Sequence, residues 1–562
     1  MPNRIDRRSF LARGALGAAG IAAGDVGAGG LLTACNSDSG PGQSQKGHPR
    51  NGITNAPPKK GGSLVFGTVD EDQSFDPAVG RFDETGILYA RTVFDPLTII
   101  AADGSVQPYL ARSVTPNPDY SVWTIGVRPG VLFHDGTPCD ASAIAGSIEH
   151  FLTGELGISI NPLLAKTHAV SVTTPDTVTI TLTQPWVPFP TYLTGAIGGQ
   201  GGYIVAPSMI ADKNGGMNPV GTGPFRFQEW SPNDHFTATR NPNYWRKGTP
   251  YLDQITYKPI LEDDSRASAL EAGNIDIMQA ALPESILRFR ENTGYAYIDD
   301  TGTIAGEPDM GFIMCNLSKP PMDNLKVRQA MAMAISSAEY SKIINKGLTP
   351  PTDQPFTPGS PYYAPDSGYP KYNPTAAAAL VKEVERETGA PVTFTLIEPP
   401  TAASVLAAQY LQSRLQAVGM NVTLSQIQPS VEINDALAGS YQAAVWRQFA
   451  AVDPDLNYLW WSPTEIFGSL NPNFAQNKDS LIQTLLETGR QSTDRAVRAK
   501  AYQQIAQRLN KDLPYIWTDR GIWAIVASLH VQNFNNPTTP AGDKAFGMIV
   551  GTIWTSQIWL DN

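Results

Sequence analysis

The sequence of 562 residues holds three cysteines and six histidines. Cys35, Cys139 and Cys315 cannot build a disulfide framework. Cys35 has a separate explanation below, and Cys139 and Cys315 read as unpaired small core residues. The histidines (His48, His134, His150, His168, His235 and His530) show no metal-ligand spacing. His134, within Phe133-His134-Asp135-Gly136, invites a metal reading but reads first as a turn residue. Positive charge is in deficit: 41 Lys and Arg stand against 52 Asp and Glu, a net charge of −11. Residues 1–34 hold four of those Arg and only two Asp, so the remainder is more acidic still. An acidic body without a basic stripe excludes nucleic acid as an expected partner. Outside the N-terminal leader no run of about 18 apolar residues occurs, so no spanning helix is expected. The Gly-x-Ser-x-Gly elbow and the His-Glu-x-x-His zinc motif are both missing, so an enzyme is not expected, nor a cofactor or metal.

What is present begins with a targeting segment, residues 1–34. Arg4, Arg7, Arg8 and Arg13 precede a weakly apolar Ala/Gly-rich stretch from Ala15 to Leu32 that carries one acid, Asp25. Arg7-Arg8-Ser9-Phe10-Leu11 matches the twin-arginine export pattern. Leu32-Thr33-Ala34-Cys35 resembles a bacterial lipobox, in which the cysteine is acylated and becomes the N-terminus; the alternative is an ordinary cleaved signal. Two or three acyl chains, at about 0.8 kcal/mol per buried methylene, hold a protein at a membrane without a helix. Residues 35–60 are Ser, Gly, Pro, Gln and Lys with little to bury, and read as a flexible tether. The length then implies two or three domains, and 50 Gly with 46 Pro a loop-rich globular chain.

The most distinctive stretch is Pro219 to Trp230, PVGTGPFRFQEW, continued by Asn241 to Ile260. Gly221 and Gly223 flank Thr222 before Pro224, a turn in which glycine is expected to supply positive φ. Phe225, Phe227, Phe236 to Thr239 and Ile255 to Ile260 predict a meander. Together with Asn241-Pro242-Asn243-Tyr244-Trp245 and with Arg266, Gly273 and Asp276, this wording resembles the dipeptide/oligopeptide class of ABC-transporter substrate-binding proteins. Further matches are Asp76-Pro77, Asp95-Pro96-Leu97, the 118–152 segment with its helix capped by Asp140 or Ser142, the 168–193 hairpin, Val327-Arg328-Gln329-Ala330 and Leu513 to Trp517. The resemblance covers essentially residues 61–562. In the 308–524 region, strand 391–398, helix 404–419 and strand 420–428 predict a parallel α/β unit. Met331, Met333 and Ile335 read as core of an apolar helix rather than as a Met-rich binding face.

The resemblance implies an α/β, two-lobed periplasmic-binding-protein-like fold with mixed sheets, three domains and a ligand cleft between the lobes. Domain I is expected at 61–95, 205–307 and 525–562, domain II at 96–204 and domain III at 308–524. It implies capture of peptides or peptide-like solutes by lobe closure and delivery to an ABC permease, by a monomer anchored through Cys35 outside the cytoplasmic membrane. Ligand-binding positions implied are Phe75, Asp76, Phe312, Asn316, Trp446, Arg447, Phe449, Asp453, Tyr515 and Trp517. The family aspartate that holds a peptide's α-ammonium is replaced: Asp453-Pro454 aligns, but Ala450-Ala451 stand where Asp-Tyr is usual. Arg447 can instead pair with a carboxylate or phosphate, or be a solvated surface residue. Trp446, Phe449, Trp460 and Trp461 read equally as an aromatic wall or as core. A non-peptide anionic or aromatic solute, and a non-transport envelope scaffold or regulator with the same fold, are the alternatives.

Overall fold

The structure is a computed structural model that describes residues 51–80, 82–154, 167–196, 198–300, 307–448, 451–464 and 471–561. The leader, Cys35, Phe449 and Ala450 therefore lie outside the described residues. Among the described residues no helix is long and apolar enough to cross a membrane.

A seven-stranded sheet forms the base of the first lobe. In spatial order its strands are Tyr295–Asp299, Ala524–Ser528, Ile277–Ala280, Ser63–Thr68, Gln254–Pro259, His235–Arg240 and Phe225–Ser231. The last three form the expected meander, antiparallel throughout. One face carries an aromatic core: Phe75 packs on Tyr89, Trp230 and Phe236, and Tyr257 stacks on Phe66 and Phe236. Each such ring removed from water contributes about 1.5–3 kcal/mol. A four-stranded antiparallel sheet (113–116, 122–126, 177–182 and 167–174) belongs to the same lobe and includes the expected hairpin. Residues 51–60, expected in the tether, lie on the body instead. Gly52 at φ 67 sits so close to the Phe534 ring that a Cβ would come within 2.5 Å of it, and Lys59 pairs with Asp561.

The second lobe is built on a five-stranded sheet ordered Asn421–Gln426, Thr393–Glu398, Ala443–Gln448, Met310–Cys315, Tyr515–Arg520. The first three strands run parallel, as the strand–helix–strand spacing predicts. Alternation along Met310–Cys315 splits two cores. Met310, Phe312 and Met314 face helices Ser480–Gln491 and Arg495–Asp512, while Ile313 and Cys315 face the opposite cluster with Met331. Met333 packs partly buried against that cluster and Ile335 lies within it, so the helix is core. Cys139 and Cys315 are both free and buried. Helix ends follow local chemistry. Asp140, rather than Ser142, caps Ala141–Thr153, and Asn373 with left-handed Gly389 brackets Pro374–Thr388.

The motif-rich stretch is a structural hub. The Asp95 carboxylate, 1 % exposed, accepts from the Thr222 hydroxyl (2.9 Å), the Tyr244 hydroxyl (2.9 Å) and the Trp245 indole N–H (2.8 Å). Gly221 and Gly223 are needed for close approach and not for positive φ: a Cβ on either would come within 2.5 Å of the Val93 backbone. His134 does more than turn the chain. Its Nε2–H donates to Gly223 O (3.0 Å) and its Nδ1 accepts from the Gly221 amide (3.4 Å), while burial pushes its pKa down to about 4.

Among the described residues, 299–300 and 307–310 flank one connection between the lobes and Arg520 to Ala524 form another. Asp300 N donates to Trp523 O (3.1 Å), and Trp523 N returns a bond to the Asp300 carboxylate (2.9 Å). Gly521 N donates to Asp309 O (2.9 Å), and a Cβ on Gly521 would stand 2.7 Å from the Asp309 Cβ. Burial, aided by the charges of Asp309 and Asp299, pushes Asp300 up to about 7.

Two outcomes follow from this packing. Asp95→Ala strands three buried donors and is expected to cost about 3 kcal/mol or more in urea unfolding; an unchanged midpoint would refute the hub. Asp300 with a raised pKa favours the folded state below about pH 4 and loses that advantage as pH rises to about 7. The stability difference between Asp300→Asn and the wild type should therefore move in the variant's favour across that window, and a pH-independent difference would contradict it.

Candidate functional site

Parallel strands Thr393–Glu398 and Ala443–Gln448 end at the edge of the five-stranded sheet where antiparallel Met310–Cys315 begins. Such carboxyl edges are where open α/β sheets leave a crevice. Here a cavity of about 510 Å³ is lined by Phe312, Trp446, Arg447, Phe474, Tyr515 and Glu432 of the second lobe and by Ala281 to Pro283 of the first. Its aromatic side is made by Trp446 and Trp460, each edge-on to Phe474 at 5.3 and 4.9 Å between ring centres. Trp460 and Trp446 thus form a wall, whereas Trp461 is 2 % exposed in the core. A second cavity of about 1490 Å³ lies where Arg520 to Ile522 meet Asp103 to Ser105 of the first lobe and Asp453, Arg495 and Arg498 of the second.

Arg447 reaches across the lobes. Its guanidinium lies 3.4 Å from Glu84 Oε1, in the helix Glu84–Val93 of the first lobe, and 3.3 Å from Asp309 Oδ2 at the crossing. The side chain is surrounded by protein yet 44 % exposed, because it faces open cavity. Its ring neighbour is Trp523, at 5.8 Å. Protein carboxylates therefore already occupy the fork that a ligand anion would use. Burial pushes Glu84 upward against the pull of Arg447, and Asp309 and Asp83 add to the rise. Burial likewise raises Asp519, which Arg447 opposes, and pushes Asp72 up to about 7. Arg447 and Arg520 both line this cavity, and Asp309, Glu84, Asp83 and Asp519 act on Arg447.

A second cross-lobe contact is drier. Asp455 and Arg490 pair at 3.0 Å with both side chains fully buried. From the first lobe the Trp186 indole N–H donates to Asp455 Oδ2 (2.7 Å) and the Tyr192 hydroxyl to Asp455 O (2.6 Å). Val187 N donates to Arg490 O (2.9 Å), and Arg490 stacks over the Trp186 ring at 4.3 Å. Every polar partner of the carboxylate is thus protein, and a buried ion pair with added hydrogen bonds is the arrangement that offsets its desolvation.

Of the residues the sequence points to, Phe312, Trp446, Arg447 and Tyr515 come together at the first cavity. Asp453 lines the second cavity, where Arg498 holds it at 2.8 Å. The others are placed elsewhere. Phe75 is in the aromatic core, and Asp76 pairs with His150 at 2.9 Å. The Asn316 amide is spent on Gly439 O and Tyr441 O, and the Trp517 indole on Asn510. Phe449 lies outside the described residues. Sequence reasoning passed over Glu84, Asp309, Glu432, Asp455 and Trp186. Only Asp455 carried a usable signal, as the second acid of Asp453-Pro454-Asp455. Among the described residues no group of three or more His, Cys, Asp or Glu could hold a metal ion.

Residues 105–466 match the family of bacterial extracellular solute-binding proteins, family 5. Among curated relatives, the glutathione-binding protein GsiB of Pectobacterium atrosepticum is 26% identical over 79% of this chain and 86% of its own length. GsiB of Salmonella typhimurium is 25% identical over 76% and 83%. Among solved structures, the periplasmic binding protein DppA of Helicobacter pylori in complex with the peptide STSA aligns with TM-score 0.77 at 21% identity, covering 90% of this chain and 99% of that one. The oligopeptide-binding protein AppA of Bacillus subtilis in complex with a nonapeptide aligns with TM-score 0.74 at 20% identity, over 90% and 100%. AgaA of A. tumefaciens R10 in complex with agropinic acid aligns with TM-score 0.76 at 22% identity, over 89% and 99%. The two-lobed fold, the cleft at the crossing strands and the match across most of the body agree: this chain belongs to the bacterial extracellular solute-binding proteins of family 5, and it is a binding protein rather than an enzyme.

Proposed function

We propose that this chain is the extracytoplasmic substrate-binding lipoprotein of an ABC importer, taking up peptides or peptide-like solutes by lobe closure and presenting them to a permease. The observation that carries this reading is the cavity at the crossing strands, walled by Phe312, Trp446, Phe474 and Tyr515 and bridged by Arg447 to Glu84. Aromatic walls suit varied side chains, and few fixed polar groups set orientation. Ala450 cannot replace the aspartate expected to hold an α-ammonium, but Glu84, Asp309 and Asp519 around Arg447 supply negative charge to the same cleft. The names of relatives that bind glutathione or peptides support the peptide class. A free anion finds less support, because Arg447 is already faced by carboxylates.

The three-domain division belongs to this proposal: 61–95, 205–307 and 525–562 as domain I, 96–204 as domain II and 308–524 as domain III, acting as a monomer. So does the anchor. The twin-arginine leader and Leu32-Thr33-Ala34-Cys35 support export, acylation of Cys35 and attachment to the outer face of the cytoplasmic membrane.

The test is mass spectrometry of small molecules released by denaturing the full-length protein after mild detergent purification from its host. A released peptide-class compound with a free amine, raising the melting temperature on return, is expected; no released compound and no shift with short peptides would shift the weight to a scaffold. Trp186→Phe keeps the ring and removes one hydrogen bond to the buried Asp455. It should weaken peptide affinity by roughly tenfold, the size of a lost charge-assisted bond of about 1.5 kcal/mol, and unchanged affinity would exclude this contact from closure. Cys35→Ser should abolish incorporation of labelled palmitate and free the protein from the membrane fraction; retained label would refute the anchor.

A further inference from the structure

The cavity has a second acidic feature that no cross-lobe contact uses. Glu398 ends the strand Thr393–Glu398, and Glu432 sits in the first turn of the helix Pro429–Ala438. They are 0 % and 4 % exposed. Neither oxygen of Glu398 has a hydrogen-bond partner within the protein, and neither does Oε1 of Glu432. No cation figures among the groups acting on either carboxyl: burial dominates for both. The Ser425 backbone N–H offsets part of it for Glu398 without reaching hydrogen-bond geometry. Burial and then the charge of Glu398 push Glu432 up to about 8.

Two buried carboxyls without a partner are costly, and folded proteins rarely keep one without a use. A structural carboxyl normally meets a backbone N–H, a hydroxyl or an arginine, as Asp95 and Asp455 do here. Glu432 differs because it lines the cavity, and Glu398, whose charge acts on it, ends the strand that runs into Pro399 of the same lining. Pro399, Ala403, Ala407 and Ile433 form apolar surface beside it. An acidic end with spare acceptors, reached along apolar walls, matches an alkyl stem that carries a cationic head.

We propose that Glu432, backed by Glu398, is a subsite for the basic side chain of the bound solute, a guanidinium or ammonium group; this rests on the peptide-class reading above. A cation there supplies the missing partner for the unpaired oxygens, so part of the cost of keeping them buried in the empty protein is recovered on binding. The preferred solute is then a peptide or peptide-like compound with an arginine- or lysine-like side chain.

Calorimetry on the full-length protein with paired tripeptides tests this, one member carrying arginine and the other citrulline, its neutral isostere. The arginine peptide should bind the wild type roughly tenfold or more tightly, as a charge-assisted contact requires. Glu432→Gln and Glu398→Gln should each shrink that ratio. Equal affinities in the wild type, a comparison that needs no variant, would overturn the subsite, as would a ratio that survives both substitutions. Binding of neither peptide would defeat the peptide reading, and agmatine, which carries the guanidinium alone, then decides the subsite. A thermal shift with agmatine that is lost in Glu432→Gln upholds a cation site for a non-peptide solute, and no shift overturns it. The same variant-sensitive shift with magnesium or calcium would overturn the assignment to an organic cation.

Discussion

Two passes of backbone between the lobes set what this molecule can do. Everything from 310 to 520 is inserted between Tyr295–Asp299 and Ala524–Ser528, strands that lie side by side in the seven-stranded sheet. The second lobe is therefore held by two adjacent connections, tied to each other through Asp300 with Trp523 and Asp309 with Gly521. This adjacent pair of crossings is the hinge that the proposed lobe closure requires. It also puts the carboxyl edge of the five-stranded sheet against the first lobe, so the cavity arises from the topology, and the side chains then decide its chemistry.

Charge is managed differently at the two cross-lobe contacts. Asp455 and Arg490 are fully buried and paired, and Trp186 and Tyr192 add hydrogen bonds to Asp455 from the first lobe. Arg447 faces open cavity with Glu84 and Asp309 around it, an arrangement that leaves room for a guest to compete. Glu432 adds a further carboxyl to the cavity wall, its pKa raised by burial and by Glu398.

Element type and order were legible because period, caps and turns agree locally. The meander after Pro224, the hairpin at Asp176 and the parallel strands around helix Ala402–Gln416 all lie within a few residues of expectation. The strongest motif was legible as a place but not as a role. Thr222, Tyr244 and Trp245 converge on Asp95, and Gly221 and Gly223 close on the Val93 backbone, because packing demands it. Phe75 and Asp76, expected at the ligand, are placed in the aromatic core and against His150. Phe312, Trp446, Arg447 and Tyr515 share one cavity because they lie on three adjacent strands of the five-stranded sheet. Glu84 was invisible, since Arg447 stands 363 positions away, and Asp309 and Glu432 carried no local motif.

The central claim is that a peptide-class solute is held by closure of one lobe on the other. A double electron–electron resonance measurement between spin labels at Lys213→Cys, exposed on the first lobe, and Lys382→Cys, exposed on the second, addresses it directly, because Cys139 and Cys315 are buried and stay unlabelled. Addition of short peptides with free N-termini should move the distance distribution to a shorter, narrower one. A distribution that is identical with and without peptides, at concentrations that saturate binding, would contradict closure as the mechanism of capture.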